Sequence, residues 1–272
     1  MGLLAGTLEL SVTALTGLPE VAPGADLAGL LIAALDQGGL VPRRQDILVV
    51  TQKVVSKAEG RYLDLDRLAP SRRAEELARI TGKDARLVEA VLSQADEVLR
   101  AKRNVLIVAT KQGLVIANAG IDQSNLTPED RGQRVLLLPE DADLSAGRLK
   151  ARLDMHFQCD LGLIISDSAG RAWRLGTVGI AIGAAGVPAL LDRRGEPDRA
   201  GRPLEVTEVG FADAVAAMAV LAMGEAAEAR PAAQYSSMAW QEKAAGGGTR
   251  FQPAGSKKCP VRKRHELRLW RI

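Results

Sequence analysis

Three stretches place acids, amides, hydroxyls and ammonium groups at the points where apolar segments end. The first is Thr51-Gln52-Lys53-Val54-Val55-Ser56-Lys57-Ala58-Glu59-Gly60, which follows the apolar run Asp46 to Val50. Lysines act as point charges against phosphate, and hydroxyls and an amide supply hydrogen bonds, so this stretch suits phosphate neutralisation. It also reads as an exposed helix start or an edge strand. The second is Asn118-Ala119-Gly120-Ile121-Asp122-Gln123-Ser124-Asn125. A loop aspartate commonly forms a turn or a cap; the functional alternative is that Asp122 and Asn125 face one ligand. The third is Ile164-Ile165-Ser166-Asp167-Ser168-Ala169-Gly170-Arg171, where an apolar strand again delivers a carboxylate at its end. Two carboxylates from separate strands suit a hard cation such as Mg²⁺ or Mn²⁺, which takes few protein oxygens and keeps positions open for phosphate. Carboxylates alone would repel a nucleoside triphosphate, so a metal between them is required. Together the three stretches point to a metal–nucleotide enzyme.

Missing motifs narrow the chemistry. The chain has no G-x-x-x-x-G-K-[ST], and Gly183-Ala184-Ala185-Gly186 is not the dinucleotide fingerprint G-x-G-x-x-G. Neither G-x-S-x-G nor H-E-x-x-H occurs. Of the two histidines, His156 falls in a predicted helix and His265 near the end of the chain, which disfavours histidine acid–base catalysis. Cys159 and Cys259 are too few for a disulfide scaffold or a cysteine zinc site, and Cys159 beside an apolar strand reads as a small core hydrophobe.

The elements that must position these groups follow from periodicity. Leu8 to Leu15 alternates as a strand and leads into the turn Gly17-Leu18-Pro19-Glu20-Val21. Asp26 caps a helical stripe of Leu27, Leu30, Leu31 and Leu35. Asp46 to Val50 is a buried strand. Ser71 to Leu99 reads as helical, with a break at Thr81-Gly82-Lys83. Asn104 to Thr110 and Leu114 to Asn118 form a hairpin around Gln112-Gly113. Arg134 to Leu138 is a strand, Leu144 to Phe157 a helix, Leu161 to Ser166 a strand, Gly176 to Gly186 a strand with a turn, and Phe211 to Met223 an Ala-rich helix ending at Gly224. Strands and helices intermix without a βαβ rhythm, which favours an α+β class over a doubly wound sheet.

The 272 residues are 47% hydrophobic and 25% charged, enough to bury a substantial core. No run of 18 apolar residues exists, and no Lys or Arg precedes the first apolar stretch, so neither a membrane span nor a secretory signal is expected. The expected location is a reducing cytoplasm. The net charge of +3 hides an asymmetry: residues 232–272 hold nine Lys or Arg and two Glu, leaving −4 for residues 1–231. That segment also holds four of the eight aromatics and shows no helix or strand periodicity. A domain of residues 1–231 followed by a basic, poorly ordered tail of 232–272 is therefore expected, in preference to a nucleic-acid or membrane-surface arm.

The sequence resembles the coenzyme F420:L-glutamate ligases, also called F420-0:gamma-glutamyl ligases. The resemblance rests on Gly17-Leu18-Pro19-Glu20-Val21, Val49 to Gly60, Ala117 to Asn125, Ile165 to Arg171, Gly176-Thr177-Val178-Gly179-Ile180-Ala181-Ile182-Gly183 and Val206-Thr207-Glu208-Val209, in order from about residue 8 to 231. It implies an α+β fold of mixed sheets with flanking helices, assembled as an intertwined homodimer. It implies a GTP-dependent amide ligase that adds L-glutamate to coenzyme F420-0 and then a second glutamate through a gamma-glutamyl bond, by way of an acyl phosphate. It implies two divalent ions, Mg²⁺ or Mn²⁺, with K⁺ assisting. Carried over by motif, Asp122 and Asp167 would ligate one metal and Ser168 and Glu225 a second. Leu18, Pro19, Glu20, Val21, Thr51, Gln52, Lys53, Lys57, Asn125, Gly224, Glu225 and Ala226 would contact GTP, with Asp122, Asp167 and Lys53 carrying catalysis. An alternative of the same chemistry is a gamma-glutamyl ligase for another acceptor, and one of another class is a non-enzymatic nucleotide- or RNA-binding protein using the basic tail. Beyond Pro231 the family's apolar strand is not recognisable in this sequence.

Overall fold

The computed structural model describes residues 9–124, 133–171 and 174–237. In chain order the elements are β1 (Leu10–Ala14), α1 (Leu27–Gln37), β2 (Ile47–Thr51), α2 (Gln52–Ala58), β3 (Tyr62–Asp64), α3 (Arg72–Thr81), α4 (Ala85–Gln94), β4 (Ala95–Lys102), β5 (Val105–Thr110), β6 (Val115–Ala117), β7 (Arg134–Leu136), α5 (Ala142–Phe157), β8 (Gly162–Gly170), β9 (Thr177–Ala185), β10 (Leu190–Asp192), β11 (Glu208–Gly210), α6 (Phe211–Met223) and β12 (Ala232–Ser237). Short 3₁₀ turns occupy Leu65–Arg67 and Asn118–Gly120.

A five-stranded sheet ordered β1-β12-β2-β8-β9 organises the chain. Only β2 and β8 pair in parallel; the other neighbours are antiparallel. Both faces of the sheet are covered, which is why Ile47-Leu48-Val49-Val50 and Leu163-Ile164-Ile165 are continuously apolar rather than alternating. On one face Leu48, Val50, Leu163 and Ile165 join Leu27, Leu31 and Leu35 of α1 and Leu149 and Leu153 of α5. On the other, Ile47, Val49 and Ile164 meet Ala212, Val215, Ala216 and Ala219 of α6. Each fully buried Leu or Ile contributes roughly 1.5–3 kcal/mol by leaving water. Asp26 caps α1 by accepting from the Gly29 amide at 3.1 Å, as its sequence position predicts. A smaller layer of α3 and α4 packs on the antiparallel sheet β4-β5-β6 through Leu77, Val88, Val91, Leu106 and Val108.

The edge strand β9 is gripped from both sides. A Cβ on Gly183 would lie 2.4 Å from the backbone of Ala142 in α5, and one on Gly179 would lie 2.6 Å from the Ala216 carbonyl oxygen in α6. Glycine therefore lets both helices lie close to the strand. The helices also satisfy two strand amides: Ala184 donates to Asp143 Oδ1 and Ala181 to Asp213 Oδ1, both at 2.9 Å.

Two sequence expectations are corrected here. The helix expected to reach Leu99 stops at Gln94, and Ala95–Lys102 is strand. The segment's good helix formers yield to six pairings with β5, because tertiary ladder bonds outweigh weak intrinsic propensity. The domain boundary placed after Pro231 is also too early. Residues 232–237 form β12, inserted between β1 and β2. Ala232 and Ala233 are fully buried, and Gln234 donates to the buried Asp46 carboxylate at 2.8 Å. Small alanines and a Gln–Asp pair build this strand, so it carries no apolar alternation for periodicity to find. The remainder of the expected tail, residues 238–272, lies outside the described residues, as do Asn125 and Ala172.

Two predictions follow from this packing. A chain ended after Pro231 loses the strand joining β1 to β2 and should show no cooperative thermal transition; a full-length Tm would show that β12 is dispensable. Burial between α6 and β9 raises the Asp213 carboxyl above its ordinary 3.8, against the opposing pull of the Ala181 amide. The folded state therefore holds this proton more tightly than the unfolded one. The contribution of the group is greatest below pH 3.8 and declines as pH rises through the elevated value. Asp213→Asn keeps an acceptor for Ala181 and should flatten that decline in a Tm-versus-pH series. An unchanged slope would refute the assignment.

Candidate active site

Strands β1, β2 and β8 run in the same direction, so their C-terminal ends emerge along one edge of the sheet. From β1 the chain continues into Leu18–Val21. From β2 it turns into α2, and Thr51 stands beside Ser166 in the ladder, so Asp167 follows on the neighbouring strand. The β8–β9 hairpin returns Thr177 opposite Gly170 at the same edge. The segment after α6 arrives there too, fixed by the amides of Leu15 and Thr51, which donate to the carbonyls of Ala232 and Pro231, each at 2.8 Å. These loops enclose a cavity of about 1010 Å³.

Asp122 enters from the smaller sheet. The chain leaves β6 through three successive residues with positive φ, Asn118 at 51°, Ala119 at 57° and Gly120 at 70°. At Gly120 a Cβ would also strike Leu138 at 2.7 Å, so no other residue fits without rearrangement. Two hydrogen bonds of 2.9 Å between the backbones of Asp122 and Leu136 then fix the carboxylate's position. Its Oδ1 accepts from the amide and the hydroxyl of Ser124, both at 2.7 Å. Its Oδ2 pairs with Lys53 Nζ at 2.9 Å, and the same ammonium donates to Ser124 Oγ at 2.8 Å.

Helix α2 supplies the cations. Gln52 is buried and accepts from the Ser56 hydroxyl at 2.9 Å, which locks the first turn. Lys57 lies one turn beyond Lys53, its side chain only 5% exposed, and pairs with Glu20, which is 79% exposed. The reading of this stretch as an edge strand or a solvated helix start is thereby excluded: β2 is interior and the helix faces the cavity.

The three acids line the same cavity. Asp167 is surrounded by protein at the cavity wall, and its carboxyl is pushed up to about 7. Burial is the main cause, and the negative charges of Asp122 and Glu225 add to it, against the Ser168 amide and the Lys53 charge. Glu225 is held by two hydroxyls, accepting from Ser168 Oγ at 2.8 Å and Thr177 Oγ1 at 3.1 Å. Three carboxylates and two hydroxyls thus share one wall, a donor set of hard oxygens that fits Mg²⁺ or Mn²⁺. A divalent ion there would offset both the burial cost and the smaller repulsion from Asp122 and Glu225 that together hold Asp167 towards its neutral form. Among the described residues no three His, Cys, Asp or Glu side chains form a ready-made ligand cluster. Cations bound here would draw part of their coordination from water or phosphate.

Of the residues singled out from sequence, Leu18, Pro19, Glu20, Val21, Thr51, Gln52, Lys53, Lys57, Asp122, Asp167, Ser168, Gly224, Glu225 and Ala226 all line this cavity. Asn125 lies outside the described residues. Sequence reasoning missed Thr177 as a site residue. Its signal was weak: a hydroxyl opening a Gly-rich strand, meaningful only once the hairpin places it opposite Gly170. Ser124 was visible in the motif but its bond to Lys53, across 71 residues, was not. His156 contacts Phe157 and Asp36 and lies away from the cavity, in keeping with a non-catalytic role.

Comparison with known proteins agrees with the motifs. The family model described as F420-0:Gamma-glutamyl ligase matches residues 17–235, so it includes most of β12. The coenzyme F420:L-glutamate ligase of Methanothermobacter thermautotrophicus is 41% identical over 243 residues, covering 89% of this chain and 95% of its own length. That of Methanopyrus kandleri is 45% identical over 215 residues, covering 78% and 81%. That of Archaeoglobus fulgidus is 42% identical over 227 residues, covering 83% and 86%. The chain that builds this acidic, lysine-lined cavity is a ligase and belongs to the F420-0:gamma-glutamyl ligase family.

Proposed function

We propose that the protein is the GTP- and divalent-metal-dependent ligase that joins L-glutamate to coenzyme F420-0, first through an amide and then through a gamma-glutamyl bond. The observation that carries this reading is the meeting of Asp122, Asp167 and Glu225 with the two α2 lysines around one cavity. A carboxylate is a poor acyl donor because it would have to expel oxide. Phosphoryl transfer solves this: a carboxylate oxygen of the acceptor bonds to the γ-phosphorus of GTP, the bond from that phosphorus to its bridging oxygen breaks, and GDP leaves. The glutamate amine then attacks the acyl carbon, loses a proton, and inorganic phosphate departs.

The side chains divide this work by charge and reach. Lys53 and Lys57 sit where they can take up phosphate charge, each as a point cation. The turn Leu18–Val21, Gln52 and the segment Gly224–Ala226 form the walls that would orient the nucleotide. Asp122 and Asp167 would hold one divalent ion, and Ser168 with Glu225 a second. Such ions, when bound, supply electrostatic neutralisation of the phosphates during transfer. Catalysis is then mainly positioning and electrostatics, in keeping with a cavity wall that holds no histidine or cysteine among the described residues. K⁺ assistance and a homodimeric state are part of the same reading, the latter checked by light scattering. No helix among the described residues is long and apolar enough to cross a membrane, and a cytoplasmic location completes the proposal.

The test is incubation with F420-0, GTP, Mn²⁺ and L-glutamate, followed by mass spectrometry. Products carrying one and two added glutamates are expected, and their absence under all metal conditions would contradict the assignment. Asp122→Asn and Asp167→Asn should each lower the rate by about a hundredfold or more while the fold is retained. Wild-type turnover in either variant would remove that residue from the site.

A further inference from the structure

Helix α2 carries its two lysines one turn apart, and each is held by a carboxylate from a different wall. Lys57 pairs with Glu20 of the loop after β1, and Lys53 with Asp122 of the loop after β6. Both oxygens of Asp122 are occupied, Oδ1 by Ser124 and Oδ2 by Lys53. A cation reaching Asp122 therefore competes with the Lys53 ammonium for Oδ2. Among the described residues Asp167 and Glu225 have no direct lysine partner, and Asp167 feels Lys53 only at longer range. A divalent ion approaching the wall alone would have to compete with an ammonium already in contact.

Resting on the nucleotide reading above, we infer that Glu20 and Asp122 stand in for the phosphates of a nucleoside triphosphate, and that Lys53 couples nucleotide binding to divalent-cation binding. A triphosphate offers Lys53 a more highly charged partner and draws its ammonium away from Asp122. The freed carboxylate then becomes available to a cation. The two lysines have separate consequences: release of Lys57 from Glu20 affects nucleotide affinity alone, whereas release of Lys53 affects both ligands. By linkage, the gain in cation affinity on adding nucleotide equals the gain in nucleotide affinity on adding cation.

The coupling is read from binding, without turnover. Free Mn²⁺ is followed by electron paramagnetic resonance with and without GTP, in the absence of acceptor and glutamate, and GTP affinity is measured by calorimetry. Lys53→Met should bind Mn²⁺ alone about tenfold tighter than wild type or more, since its competitor is gone, and should bind GTP more weakly. The enhancement of Mn²⁺ binding by GTP should shrink correspondingly. Ser124→Ala, which keeps the charge but removes one acceptor from Lys53 and one donor from Asp122 Oδ1, should move Mn²⁺ affinity in the same direction by less. Glu20→Gln should tighten GTP and leave Mn²⁺ alone unchanged. Unchanged or weaker Mn²⁺ binding by Lys53→Met, or an undiminished enhancement, would overturn the coupling. If Asp122→Asn still abolishes cation binding in that case, the ligase site stands and only the coupling is lost. If wild type binds neither Mn²⁺ nor GTP, the site reading itself fails.

Discussion

Like charges brought together at a protein wall repel, and the structure around this cavity is arranged about that repulsion. Asp122, Asp167 and Glu225 come from three separate segments, and the fold sets them within one another's fields. At Asp167 burial is the larger reason that the carboxyl is pushed up to about 7, and the charges of Asp122 and Glu225 add to it. Such a site is stabilised by positive charge, and the cations lining the cavity include Arg230 and the two ammonium groups of α2, one of which touches Asp122. The hydroxyls on Glu225 and the pairing of the buried Lys57 with the exposed Glu20 distribute charge around the same space.

The fold explains how distant segments are brought to this point. Three strands of common direction end at one sheet edge, and the antiparallel strands β9 and β12 begin there. Covered faces make the central strands rigid, so the groups at their ends are positioned by the core rather than by loop chemistry. Asp122 is the exception, since it belongs to a different sheet. Its placement depends on a left-handed turn over Asn118, Ala119 and Gly120, whose last position leaves no room for a Cβ beside Leu138, and on a bridge to Leu136. That local strain is spent on holding one carboxylate opposite another.

Much of this was legible before any coordinates. The apolar runs ending in Thr51 and Ser166 marked β2 and β8, and the polar residues beyond them marked the site, because chain leaving a buried strand is where polar chemistry can face a ligand. Asp26 announced α1 through its capping position. Other parts were hidden for identifiable reasons. The ADEVLRAK segment of β4 has helix-forming residues, and only its pairing with β5 makes it a strand. Strand β12 is built of alanines, a glutamine, a tyrosine and serines, so its burial comes from neighbours and leaves no periodic mark. Thr177, and the contacts of Lys53 with Asp122 and Ser124, depend on hairpin return and on long-range convergence, which a linear pattern does not encode.

On the proposed reading, the acidic wall and the lysines of α2 share out the charge of a nucleoside triphosphate and its metal, and the chemistry reduces to moving a phosphoryl group between held partners. The most direct measurement is anomalous diffraction at the manganese edge from crystals grown with Mn²⁺ and a non-hydrolysable GTP analogue. The account requires a manganese peak bridging Asp122 and Asp167, with analogue phosphate oxygens in its coordination shell. A peak elsewhere, or an analogue seated in the cavity with Asp122 still bound to Lys53 and no metal between the two aspartates, would contradict it.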